Sequence, residues 1–485
     1  MVIMEVYRGF TKEVMWAGMI NLAIFLRGLL VLPIISKVMG SLGYGIWVQI
    51  TITVGLIFPL TSLGLPVSIT RFIPGEKNKK KIATGFYSSF FAALTATGIA
   101  AIIMFLFSNQ ISLLILNDSA LGSLIKLTSV LIVAWCLQAV MLEYFKSTKQ
   151  MNVYGIVYGT EMIAELISTL FLVSYDIFYI ILGVLIVRIA YTFISLAIVI
   201  KQLGWFTTST KTLKQYLKFG LPMVPTEFFM WLVSSSDRYI IAFFLTTSLV
   251  GIYSASYSLA GMIAYLSAPI TLMLLPTMSR AVRNHNEHEI TNYIKYSTKY
   301  FLFLAMPLAA ILSILSYPVL KLMTTPEFIS YGSILIPIIS IAMIFSGLRG
   351  IFGQQILLSK NTKRYMMISV IAAITAVILN LILVPTIGII GSAIATLITF
   401  FVFLTITMAY TRFDFREIYK DLLKSIFATA IISIILVIIA PTRISHMIIT
   451  VIAVIPVYAI ILFGLKTFDK KELAFLKYLV DARSR

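Results

Sequence analysis

Four cationic side chains fall inside stretches otherwise apolar enough to lie in lipid: Arg27, Lys126, Arg188 and Arg349. A charge at bilayer depth costs at least ~2.5–3.5 kcal/mol on insertion scales. Such residues therefore face a protein interior or a water-filled cavity and mark a functional site by default. Here they suggest a membrane-embedded cavity that receives an anion. Guanidinium suits phosphate, because its planar fork bonds two oxygens at once, so Arg27, Arg188 and Arg349 are the candidate receivers. Lys126 lies near the outer end of its stretch, where a long stem carries the ammonium to the interface. The matching carboxylates are Glu161 and Glu165, four apart and so on one helix face, and Glu227 between Pro225 and Trp231. Two roles stay open for them: coupling to H⁺ or Na⁺, which intramembrane carboxylates serve in transporters, or charge balance for the arginines. A buried ion pair with Glu161, Glu165, Glu227 or Asp237 is likewise the alternative to the cavity role of each arginine. Asp237-Arg238 is read at the outer end of a span, as a gate between lobes or as a local pair that fixes the helix end.

Other chemistry is thin. His285 and His288 share a loop but lack the further ligands a metal site needs, so no metal is expected and no cofactor beyond a coupling ion. The single cysteine, Cys136, lies in an apolar stretch and forms no disulfide within the chain. No G-x-x-x-x-G-K-[ST] phosphate loop occurs, which excludes ATP hydrolysis by that route. Asn117-Asp-Ser119 is a glycosylation sequon, and Gly155 and Gly159 form a G-x-x-x-G pattern that predicts close helix packing. Tyr154, Tyr158, Tyr253 and Tyr257 recur at helical spacing and could stack on sugar, although Tyr marks the membrane interface more often.

The elements that must hold these residues are membrane helices. Of 485 residues, 60% are hydrophobic and only 12% charged, about half the charge of a soluble domain. The apolar runs have the length a helix needs to cross ~30 Å of hydrocarbon. Fourteen spans are predicted, near 13–35, 46–68, 83–107, 123–143, 154–174, 177–200, 219–236, 250–275, 300–322, 331–355, 366–386, 388–410, 425–441 and 446–465. Two pairs, 154–174 with 177–200 and 366–386 with 388–410, have almost no connector and read as tight hairpins. Pro59 and Pro66 should bend span 2, and Pro222 and Pro225 the start of span 7. The first apolar run is too long for a cleavable signal and is expected to remain as span 1. With the N-terminus inside, 30 of the 38 Lys and Arg fall on inside segments, four on outside ends and four within spans. That bias predicts a multi-pass protein of the cell membrane with both termini cytoplasmic. It also explains the formal charge of +19 through lipid contact, without a nucleic-acid partner.

A repeat organises the spans. Gly40-Ser-Leu-Gly-Tyr-Gly-Ile-Trp47 opens span 2 and Thr247-Ser-Leu-Val-Gly-Ile-Tyr253 opens span 8. Leu65-Pro-Val-Ser-Ile-Thr-Arg71 and Leu275-Pro-Thr-Met-Ser-Arg280 close them, and Lys149 to Tyr154 matches Lys360 to Tyr365. Six spans separate the copies, so the halves share one orientation, with substrate expected between them. The expected division is an N-terminal lobe over 1–212, a C-terminal lobe over 213–411, and spans 13 and 14 with a tail over 412–485.

Three stretches carry a family likeness: Leu42-Gly-Tyr-Gly-Ile-Trp47 with Leu63-Gly-Leu-Pro66 and Arg71, Asp237-Arg-Tyr-Ile-Ile241 with Val250-Gly-Ile-Tyr253, and Asn380-Leu-Ile-Leu-Val-Pro385 with Gly388-Ile-Ile-Gly391. In these the chain resembles the polysaccharide and lipid-linked-oligosaccharide flippases of the multidrug/oligosaccharidyl-lipid/polysaccharide (MOP) exporter superfamily. The resemblance implies an all-α fold of two pseudo-symmetric six-helix bundles plus two C-terminal helices. It implies no enzymatic step. It also implies flipping of a polyprenyl-(pyro)phosphate-linked glycan by alternating access, with membrane lipids and glycan-assembly enzymes as partners. The cavity arginines would then receive the carrier phosphate. An ion-coupled multidrug antiporter of the same superfamily is the alternative. It would need a net anionic cavity, whereas the intramembrane charges lean cationic.

Overall fold

An unbroken helix from Val2 to Ser62 would run about 90 Å, three times the hydrocarbon thickness. The chain avoids this at Gly40, whose φ of 67° interrupts the helix in a conformation that costs a side chain-bearing residue but not glycine. The protein is described from a computed structural model covering residues 2–283, 287–359, 361–411, 416–439, 444–468 and 472.

The helices, in chain order, are α1 (Val2–Ser62), α2 (Leu65–Phe72), α3 (Lys79–Leu106), α4 (Ser108–Leu116), α5 (Gly122–Ser147), α6 (Met151–Leu172), α7 (Ile177–Leu203), α8 (Thr210–Gly220) and α9 (Val224–Phe244). They continue with α10 (Thr247–Tyr265), α11 (Ala268–Arg283), α12 (Glu287–Ile314), α13 (Ser316–Met323), α14 (Ile329–Leu358), α15 (Thr362–Ala409), α16 (Arg416–Ile439) and α17 (Ile444–Gly464). The fold is all-α and polytopic. Among the described residues, eleven stretches are long and apolar enough to cross a membrane. Two of them, in α1 and α15, each hold two helices joined at a break; counting these halves and adding α9 recovers the fourteen spans.

Both tight hairpins form. Asp176 caps α7 by accepting the Phe178 N–H at 3.3 Å, a pairing that satisfies an amide the first turn leaves without a partner. Within α15, Ile387 and Gly388 leave the helical region, and Ser392 Oγ donates to Asn380 Oδ1 at 2.8 Å. A straight helix would hold residues twelve apart about 18 Å from one another, so the chain reverses there.

The start of span 7 differs from its prediction. Pro222 sits in a short 3-10 turn over Leu221–Met223 and Pro225 in the first turn of α9, where proline's missing N–H is no loss. The apolar run Tyr239–Phe244 then carries α9 on to Phe244. Asp237 and Arg238 consequently lie inside the helix and not at the span's end. Gly159 also departs from expectation: a Cβ there would meet nothing within 4 Å, so its helix is not closely packed at that point. Prolines 59 and 66 flank the break at Leu63–Gly64, with Pro66 starting α2.

The chain divides into two compact units. The first comprises Met1–Ser258, Met323–Tyr331 and Thr362–Thr399; the second comprises Leu259–Leu322, Gly332–Asn361 and Phe400–Arg485. In the first, Phe86 and Phe90 of α3 stack at 5.9 Å and Phe86 meets Tyr144 of α5 at 5.1 Å. Leu65, Ile69, Val140, Met141 and Phe145 complete this buried core. Amphipathic α8 lays Tyr216 onto the core, where the backbone carbonyl of Tyr216 accepts Ser68 Oγ at 2.8 Å; Lys211, Lys214 and Lys218 stay exposed. In the basic loop before α3, the Asn78 N–H donated to Glu76 at 2.9 Å holds that carboxyl below its usual range, with Lys81 adding to the effect. In the second unit, Phe303 packs with Ala428, Ile432 and Leu436 of α16 and Val454, Tyr458 and Leu462 of α17.

The repeat has a direct structural expression inside the first unit. Gly45 and Gly251, equivalent positions of the two repeat motifs, bring the second half of α1 against α10. A Cβ at Gly45 would overlap the Thr247 carbonyl oxygen, and one at Gly251 the Ser41 carbonyl oxygen. Both obstacles are backbone, so neither can swing aside. Gly45→Val is expected to part these helices and cost about 1–3 kcal/mol, as overpacking does. The check is the thermal unfolding midpoint of detergent-solubilised protein, which falls for this variant and does not fall for Gly159→Ala, where a helical glycine has open space for the added methyl.

Candidate functional site

A cavity of about 440 Å³ opens within the first unit. Helix α1 supplies Arg27, Tyr44, Trp47 and Thr51 to its lining, α5 supplies Trp135, α9 supplies Ser234, Ser235 and Arg238, and α10 supplies Ser254, Tyr257 and Ser258. The wall is thus hydroxyl-rich and aromatic. It holds two guanidinium groups and, among the described residues, no carboxylate.

Arg27 reaches the cavity from the first half of α1, its side chain 19% exposed. One of its nitrogens, Nη2, lies 2.7 Å from Glu165 Oε2. The other oxygen of Glu165 accepts from Arg188 Nη2, and Arg188 Nη1 lies 2.9 Å from Glu161 Oε1. Glu161 Oε2 in turn accepts from Gln138 Nε2 at 3.0 Å. The i, i+4 spacing puts both carboxylates on one face of α6, and the tight α6–α7 hairpin sets Arg188 opposite them. Two cations and two anions therefore form one buried cluster with no net charge. Arg188, only 4% exposed at its side chain, is not part of the lining. Its guanidinium stacks over Trp135 at 4.3 Å, and Trp135 itself faces the cavity. Charge balance is thus the observed partnership of Glu161 and Glu165.

Arg238 is the second guanidinium at the wall. Its Nη1 lies 2.7 Å from Asp237 Oδ1 and also donates to the Ser234 carbonyl, while the group stacks over Tyr257 at 4.0 Å. Tyr253 donates to the remaining Asp237 oxygen at 2.7 Å and sits 2.9 Å from Thr396 Oγ1. Gln49 Nε2 donates to the Arg238 carbonyl at 3.3 Å. Every polar reach of Asp237 is taken, so the pair is an internal one that fixes α9 beside α10 and α1.

The remaining candidates lie elsewhere. Arg349 belongs to α14 in the second unit, its guanidinium over Phe403 at 4.6 Å. Lys126 is exposed and rests over Phe105 at 5.4 Å. Glu227, in the first turn of α9, is half-buried and makes no ion pair or hydrogen bond among the described residues. Asn117 takes a left-handed conformation after α4 and donates to the Ala242 carbonyl at 2.7 Å. His285 lies outside the described residues. No cluster of potential metal ligands occurs among the described residues. The sequence marked Trp47 only as the end of a repeat and family motif, and did not single out Trp135 or the serines of α9 and α10. The run Ser234-Ser235-Ser236 before Asp237-Arg238, polar in an otherwise apolar helix, was the available signal.

Membrane helices enclosing a charged, hydroxyl-lined cavity define a polytopic membrane transporter, and solved structures share the fold. The lipid II flippase MurJ in an inward closed conformation superposes with a TM-score of 0.77, at 18% identity, over 91% of this chain and 97% of that one. An inward-facing multidrug resistance transporter of the MATE family of the MOP superfamily gives 0.64, at 13% identity, over 85% and 98%. The chain belongs to the polysaccharide biosynthesis protein family, whose model matches residues 10–282, more than half of its length. The MatE model matches residues 222–382. The probable low-salt glycan biosynthesis flippase Agl15 of Haloferax volcanii is 24% identical over 193 residues, an alignment spanning 40% of each chain. The resemblance drawn from the three motifs is borne out.

Proposed function

We propose that this protein is a flippase for a polyprenyl-(pyro)phosphate-linked glycan. The observation that carries the reading is Arg27, an intramembrane guanidinium held on the wall of a cavity whose lining has a second guanidinium and, among the described residues, no carboxylate. An anionic headgroup lowers the cost of keeping that charge at membrane depth, and the lining hydroxyls and Trp and Tyr faces suit sugar. The lipid tail stays in the bilayer, and no bond is made or broken. Access would alternate between the lobes over 1–212 and 213–411, and the positive-inside bias supports both termini in the cytoplasm. Glycan-assembly enzymes would supply and consume the substrate on the two sides. The MatE match keeps a multidrug antiporter as the second reading, against which stands a lining without the carboxylate that organic cations favour.

Reconstitution into liposomes with labelled lipid-linked glycan, read by leaflet accessibility, tests the reading. Protein-dependent movement of the glycan lipid is expected; drug efflux without such movement supports the second reading. Of the intramembrane carboxylates Glu161, Glu165, Glu227 and Asp237, Glu227 is the one that makes no ion pair or hydrogen bond among the described residues, so we assign any H⁺ or Na⁺ coupling to it. In the same liposomes Glu227→Gln is expected to abolish acceleration by an imposed pH or Na⁺ gradient while leaving gradient-free exchange. Gradient responses equal to the unmodified protein's would remove Glu227 from that role.

A further inference from the structure

Resting on the phosphate reading of the cavity, we infer that Glu165 is an exchangeable counter-ion for Arg27, and that Arg188 is a positioning residue that takes over Glu165 when an anion arrives. The two oxygens of Glu165 are divided: Oε2 lies 2.7 Å from Arg27 and Oε1 accepts from Arg188. Arg27 is the only member of the cluster on the cavity wall, while Glu161, Glu165 and Arg188 are almost wholly buried. An incoming phosphate therefore reaches Arg27 from the cavity side and competes with Oε2 alone. Giving up that contact would be prohibitive if it left a bare carboxylate in the interior. Here it does not, because Arg188 remains on Oε1.

Arg188 is itself held against following the anion. Glu161 binds its other nitrogen at 2.9 Å and Trp135 covers its face at 4.3 Å. Its backbone is tied too: Thr192 Oγ1 donates to the Arg188 carbonyl at 2.8 Å. The arrangement makes Arg27 both paired when empty and releasable when occupied. It also assigns the second arginine of the cluster a role in affinity without any contact with substrate.

The test is binding of farnesyl pyrophosphate to the purified full-length protein. Glu165→Gln frees Arg27 and should tighten binding severalfold. Glu165→Asp, whose shorter arm cannot span both arginines, should act in the same direction and serves if the Gln variant does not fold. Glu161→Gln/Arg188→Gln keeps the cluster neutral but leaves Glu165 to Arg27 alone. It should weaken binding about tenfold, the equivalent of ~1.4 kcal/mol, although neither residue touches the ligand. A merely structural role moves both kinds of variant the same way, so effects of one sign, or none, overturn the exchange. Arg27→Gln separates the two levels: if it abolishes binding while the other variants bind like the unmodified protein, the phosphate reading stands and the exchange fails. If the unmodified protein does not bind the probe, both fall.

Discussion

Arg27→Gln is expected to lower the protein-dependent movement of a lipid-linked glycan roughly ten- to hundredfold at unchanged protein yield. The expected reduction is the loss of charge-assisted hydrogen bonds to the proposed phosphate, worth about 1.5–3 kcal/mol. Unchanged yield follows from the division of Glu165. With Arg27 gone, both Glu161 and Glu165 still meet Arg188, so neither buried carboxylate loses its last cationic partner, although the cluster keeps one negative charge in excess. The variant thus separates transport from folding, which few substitutions in a membrane interior do. Glycan transport in reconstituted liposomes, normalised to folded protein, gives the answer; transport within twofold of the unmodified protein would place the substrate elsewhere.

Arg188→Leu has the opposite profile. It removes the central cation from between Glu161 and Glu165, both buried, and leaves Arg27 to face one of them. Breaking a buried pair from one side costs about 3–5 kcal/mol, enough to deplete folded protein. Adding Glu161→Gln to this variant takes away one stranded charge and should recover part of the loss. Yield of monodisperse protein and its unfolding midpoint are the readouts. A midpoint equal to the unmodified protein's would show that water reaches the cluster.

Much of this was legible in the sequence, because membrane helices declare themselves by length and charge. The number of spans, both tight hairpins and the repeat motifs appear as read, while spans 2 and 7 have other bounds, and the repeat glycines at 45 and 251 prove to be touching partners. Lys126 lies at the surface as its position near a span end implied. Ion pairing with Glu161 and Glu165 stood in the sequence as one alternative, but which arginine meets which carboxylate did not. Arg27 and Arg188 read alike as intramembrane arginines, and only the α6–α7 hairpin register shows that one lines a cavity while the other is sealed behind Trp135. Periodicity gave Glu161 and Glu165 a common face but not what that face meets. Arg238 was placed at a helix end because the hydropathy of span 7 fades near its prolines and serines. The helix instead starts late, at Val224, and runs on through Tyr239–Phe244, which turns Arg238 into part of the wall.

The central claim is that a pyrophosphate headgroup sits in this cavity on Arg27. Cys136, the single cysteine, is buried, so Ser235→Cys places one reactive thiol on the lining. The rate at which a charged, water-soluble thiol reagent modifies that position, with and without a polyprenyl pyrophosphate, is the direct measurement. The account predicts that the lipid slows modification, and that the protection disappears when Arg27→Gln is added. Modification unaffected by saturating lipid, or protection that survives the loss of Arg27, would contradict it.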